Sequence, residues 1–143
     1  MSDETNTSYE EISENLSFLD DWEDRYRYLI ELGESLPSLG EEEKCDANKV
    51  DGCVSQVWLS STIVENEGAP HIHFRGDSDA MIVKGLVAIL IAFYSKKSAK
   101  WIAHNDIAVL FDELGLREHL TSQRSNGLNS MIKTIQNQAN DLL

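Results

Sequence analysis

The sequence predicts an α+β domain, a small antiparallel sheet packed against several helices. Helical periodicity fills the first third of the chain. Strand-like alternation occupies the middle, and helical periodicity returns toward the C-terminus. Elements grouped in this way, rather than alternating, argue against a run of βαβ units.

Each element has a local reason. Residues 8–19 carry Ile12, Leu16 and Leu19 at helical spacing, and Ser8 with Glu11 three residues on is a capping-box start. A second helix, about 20–35, places Trp22, Tyr26, Leu29 and Ile30 on one buried stripe and stops before Pro37. The acidic stretch "SLGEEEKCDANKVDG" follows as a connection without a period. "VSQVWLSSTIVE" is rich in β-branched and aromatic residues. "HIHFRG" alternates, with Ile72 and Phe74 on one face and His71, His73 and Arg75 on the other. With "NEGAP" as the turn between them, the pair predicts a hairpin with one buried face. Ser78 or Asp79 is expected to cap the apolar run "AMIVKGLVAILIAFY", read as a helix buried on most sides. A helix over 106–114 ends at Gly115. An amphipathic helix from about Thr121 turns Leu128, Met131, Ile132, Ile135, Ala139 and Leu142 inward. One domain is expected over 1–143, with 1–7 disordered.

Composition narrows the function classes. A length of 143 residues with 41% hydrophobic and 26% charged residues suits one soluble domain with a real core. A net charge of -13 argues against nucleic acid or anionic membrane as partner and favours a partner with a basic face. The apolar run is too short to span a bilayer and contains Lys84. The acidic N-terminus has no apolar core and does not read as a targeting peptide. Two cysteines in such a composition point to reduced thiols and a cytoplasmic setting.

The candidate chemistry reduces to one residue. A structural zinc site asks for about four Cys or His ligands in close pairs, and Cys45 and Cys53 form no such pair. His71 and His73 share a strand face without a third ligand, and His104 and His119 lie by helix ends. No metal site is expected. No phosphate-binding glycine loop, serine-nucleophile elbow or distinctive carboxylate pair is present. Cys53 stands at the turn-like start of a strand and reads either as a small buried hydrophobe or as a working thiol. Gly52 permits a tight turn there. Asp51, a neighbouring anion, should raise the thiol pKa rather than lower it. Gly85 and Gly127 sit inside apparent helices, each at a cost of about 1 kcal/mol against alanine, which close approach of another group usually offsets. Arg124 is a cation at a helix N-terminus, where the dipole does not favour it, and so points toward a carboxylate nearby or in a partner.

Four stretches, "DWEDRYRYLIELGESLP", "NKVDGCVSQVWL", "GDSDAMIVKGL" and "SQRSNGLNSMI", occur in an order and spacing that resemble the SufE family of sulfur acceptor proteins. The resemblance runs from about Phe18 to the last helix. It implies the fold of the iron–sulfur scaffold proteins, SufE- and IscU-like. It implies that Cys53 takes persulfide sulfur from a cysteine desulfurase of SufS or CsdA type, stimulates that enzyme, and passes sulfur to a SufBCD-like scaffold. The pyridoxal phosphate belongs to the desulfurase, and no cofactor is expected in this chain. By motif position Asp51, Gly52, Ser55 and Gln56 shape the cysteine loop. Asp77 and Asp79 cap the buried helix or meet the desulfurase, and Arg124 is a docking cation. A cavity lined by Val54, Val57 or the "AMIVKGL" helix would hide the sulfur. The alternative is a cluster or zinc scaffold of the same fold. Cys45 has no counterpart in the family pattern, although it could serve as a resolving thiol for Cys53. Monomer and homodimer both stay open.

Overall fold

The computed structural model describes residues 8–53, 55–116, 118 and 120–143. The expected disorder of 1–7 therefore lies outside the described residues, as does His119. Helix α1 (Tyr9–Phe18) starts where the capping box places it, with the Ser8 hydroxyl accepting from the Glu11 amide. Helix α2 spans Trp22–Glu34 and is capped by Asp21. A single 3-10 turn, Asp46–Asn48, interrupts the acidic connection. Strands β1 (Val57–Asn66) and β2 (Ala69–Ser78) then pair antiparallel over ten rungs. The loop between them is Glu67-Gly68, both with positive φ (54° and 78°), the pairing that a two-residue hairpin turn requires.

Helix α3 (Met81–Tyr94) is the centre of the core, buried at eleven of its positions. It packs against both β2 and α2. The contact with α2 is made by glycines. A Cβ on Gly85 would collide with the Leu29 carbonyl, and one on Gly33 would lie 2.8 Å from the Gly85 amide nitrogen. Close packing is therefore what offsets the helical glycine at 85. Strand β3 (Lys97–Ser98) adds two residues to the free edge of β2, opposite His71 and Ile72. Helices α4 (Ala99–His104), α5 (Ala108–Glu113) and α6 (Ser122–Asn140) follow. Among the described residues, no helix is long and apolar enough to cross a membrane.

Two expectations are corrected, and two short elements are added. The buried face of α2 is Leu29, Leu32 and Gly33, whereas Trp22, Tyr26 and Ile30 are half-buried and line a surface groove. The small residues decide which face sits against α3, and the aromatic stripe is rotated to its edge. The N-cap of α3 is Ala80, with no side-chain cap, because Ser78 and Asp79 spend their side chains elsewhere. Neither β3 nor α4 was marked by a hydrophobic period, each being too short to show one.

Candidate functional site

Cys53 lies in a loop closed at its base by backbone pairing. The Val50 amide donates to the Val57 carbonyl at 2.8 Å, and Lys49 bridges Trp58. Gly52 has φ +91°, and a Cβ there would meet Ser130 Oγ at 2.5 Å. The positive φ demands glycine, and a side chain there would also turn the Ser130 hydroxyl aside. The far stem is held by the residues that were expected to cap α3. The Gln56 amide donates to Asp79 Oδ1 at 3.0 Å, the Asp79 amide returns a bond to the Gln56 carbonyl at 3.2 Å, and Ser78 Oγ donates to the same carbonyl at 2.8 Å. Asp79 thus acts as a clamp on the loop, with its residue still exposed.

The thiol is half-buried and turned inward. Sγ donates to the Gly127 carbonyl at 3.5 Å, and a Cβ on Gly127 would stand 3.3 Å from Sγ. The second helical glycine is therefore the floor on which the cysteine rests. Burial pushes the thiol pKa up, and the Asp51 carboxylate adds to the rise. The effect expected of Asp51 is present but secondary. Cys45 is exposed, and both cysteines are free thiols.

A cavity of about 250 Å³ opens beside the sulfur, with Val83, Leu86 and Met131 as its apolar side and Ser55, Thr121 and Arg124 as its polar side. The "AMIVKGL" helix lines it as expected, through Val83 and Leu86. Val57 does not, being fully buried in the core, and Val54 lies outside the described residues. Arg124 faces the same cavity as Cys53, and among the described residues no carboxylate forms an ion pair with it. Its backbone amide is taken by the N-cap, Thr121. Gln56 and Asp51 are exposed at the loop surface.

Asp77 departs from the docking role. It is buried at 4% exposure, between Lys44 and Lys84. Burial pushes its carboxyl pKa up, but hydrogen bonds from the Ser78 and Leu39 amides and the Lys84 ammonium outweigh that and hold it below the usual carboxylate range. Its oxygens serve the interior, so no incoming protein meets them. Lys44 and Lys84 were not singled out as site residues. The signal for Lys84 was available: a lysine in an otherwise apolar helix needs a counter-charge.

Fold and site together define a small α+β module with one retracted thiol, its pKa raised by burial, on an anchored loop. The chain belongs to the SufE family, whose domain is described as Fe-S metabolism associated and matches residues 10–139. It is 54% identical over 132 residues to an uncharacterized SufE-like protein of Rhizobium etli, covering 92% of this chain and 89% of that one. It is 41% identical over 131 residues to the sulfur acceptor protein CsdE of Escherichia coli K12, covering 92% of this chain and 87% of that one. The solution structure of a hypothetical protein from Thermus thermophilus shares the fold, with a TM-score of 0.71, 18% identity and 94% of each chain covered.

Proposed function

We propose that this chain is a sulfur acceptor that carries sulfane sulfur on Cys53. The observation that carries the reading is the loop itself: one thiol, pinned at both stems, resting beside a cavity with room for another sulfur atom. Membership of the SufE family and likeness to CsdE support it. In the reaction the Cys53 thiolate attacks the outer sulfur of a persulfide on a cysteine desulfurase. The desulfurase S–S bond breaks, its cysteine leaves as thiolate, and a new S–S bond forms at Cys53, with no net oxidation or reduction. An acceptor thiolate on an iron–sulfur assembly scaffold later takes the outer sulfur and restores Cys53. Pyridoxal phosphate resides in the desulfurase, and both partners are met in the cytoplasm.

The raised pKa of the thiol fits this role. With its pKa raised, Cys53 holds little thiolate at neutral pH and resists casual oxidation. Docking supplies proximity, and Arg124 supplies a cation at the cavity. Asp79 and Arg124 are the docking residues, and Asp77 supports them from inside. The scaffold reading asks for several ligands around one point. Among the described residues no three His, Cys, Asp or Glu side chains are so grouped.

Intact-protein mass after incubation with a desulfurase and cysteine tests the proposal. Sulfur should add to the wild type and to Cys45→Ser but not to Cys53→Ser. Loading and desulfurase stimulation that persist in Cys53→Ser would end it. Arg124→Ala should weaken desulfurase binding while leaving the melting temperature nearly unchanged, whereas parallel losses of both would make Arg124 structural.

A further inference from the structure

We infer that Asp77, with Lys44 and Lys84, is the positioning hub of the cysteine loop, a buried carboxylate that ties both loop stems together and sets how far Cys53 is retracted. The inference rests on the reading of Cys53 as the working thiol.

The geometry is specific. Asp77 Oδ2 accepts from the Leu39 amide at 3.3 Å and faces Lys44 Nζ at 3.5 Å. Its Oδ1 accepts from the Ser78 amide at 2.8 Å and faces Lys84 Nζ at 3.4 Å. Both oxygens are engaged, and two cations surround one anion, so the charge can stay ionised at 4% exposure. Lys84 is the one charged residue of α3, which binds the hub to the core.

Lys44 carries the hub to the near stem. Its ammonium also lies 5.5 Å from the centre of the Trp58 ring. Trp58 stands opposite Asp77 in the hairpin register and opposite Lys49 on its other side. The Val50-to-Val57 hydrogen bond that closes the loop adjoins this bridge. The far stem is tied through the next two residues. Asp77 fixes the Ser78 amide, and Ser78 and Asp79 hold Gln56. One carboxylate therefore sits where the two stems meet, with Cys53 between them. Lys44 and Lys84 keep partial exposure (29% and 23% of their side chains), so the hub is within reach of solvent while its carboxylate is not.

The test measures Cys53 alone, in a Cys45→Ser background, by the rate of carbamidomethylation with iodoacetamide at fixed pH, read by mass, beside a thermal melt. Lys44→Met removes the link to Trp58 and leaves Lys84, Leu39 and Ser78 on the carboxylate. It should raise the Cys53 rate about tenfold, equivalent to ~1.4 kcal/mol of loop opening. Asp77→Asn should raise it at least as much. Asn15→Ala, which removes the Asn15–Tyr28 hydrogen bond on α1, is the control for stability loss elsewhere. Rates in both hub variants no faster than in that control would overturn the inference. If Asp77→Asn fails to fold, Lys44→Met decides alone. Alkylation needs neither desulfurase nor persulfide, so failure of sulfur loading would sink the proposed function without touching this result, and the reverse also holds.

Discussion

Gly127→Ala should separate the stability of the protein from the quietness of its thiol. The added methyl would stand 3.3 Å from Cys53 Sγ and 3.7 Å from Cys53 Cα and Cβ. Only the first distance is tighter than ordinary contact, so the sulfur must give by a few tenths of an ångström. It has somewhere to go, since the cavity opens beside it. Alanine gains about 1 kcal/mol over glycine inside a helix. Against this stands the displaced S–H···O contact at 3.5 Å, a weak bond worth at most about 1 kcal/mol net. The balance is near zero or mildly stabilising, a melting shift of no more than about 4 °C in either direction. The thiol loses its carbonyl acceptor and moves toward the cavity, so its alkylation should quicken. Differential scanning calorimetry and timed iodoacetamide labelling in a Cys45→Ser background give the two readouts. A large fall in melting temperature with labelling unchanged would refute the reasoning, because it would mean that α6 yields and the loop does not.

Other perturbations probe the remaining parts. Gly85→Ala drives a methyl into the Leu29 carbonyl, with backbone on both sides, and should cost about 3 kcal/mol or more in chemical denaturation. Gly52→Ala meets both a φ of +91° and Ser130 Oγ at 2.5 Å, and should cost about 1–2 kcal/mol while speeding Cys53 labelling. The Cys53 labelling profile, in a Cys45→Ser background, should shift to the acid side when the chain is unfolded in denaturant, and Asp51→Asn should shift the folded profile only part of that way, since burial is the larger cause. A raised folded-state thiol pKa also means that its contribution to stability is intact below the unfolded thiol pKa and is lost as pH rises through the folded one. Cys53→Ala should flatten that alkaline decline in a denaturation series.

The sequence was most readable where local rules act alone. Ser8 and Glu11 announced α1, the glycine of "NEGAP" announced the hairpin turn, and alternation around Ile72 and Phe74 gave the buried sheet face. Reading failed where a residue had a long-range partner. Ser78 and Asp79 had the chemistry of caps, but Gln56, more than twenty residues earlier, claimed them. Trp22 and Tyr26 looked like core, but Gly33 and Gly85 settled which face of α2 went inward. The cysteine loop followed from motif resemblance. Its floor at Gly127 followed from neither motif nor period, since a glycine in a helix says that something comes close but not what.

The two-residue hairpin turn bears on the order in which the protein assembles. Closing Glu67-Gly68 costs less chain entropy than any longer loop, so the ladder is expected to zip from the turn outward. Its last rungs are Trp58 with Asp77 and Val57 with Ser78, the rungs that adjoin the cysteine loop. The Asp77 carboxylate on the first of them finds its full set of partners only when the distant segment around Leu39 and Lys44 arrives. On opening, the turn end frays first, since β1 is exposed from Ser61 to Asn66 while Val57, Trp58 and Leu59 are buried. The thiol thus hangs from the end of the ladder that forms last but is packed into the core, so the loop that carries it is anchored on the part of the sheet that opens least.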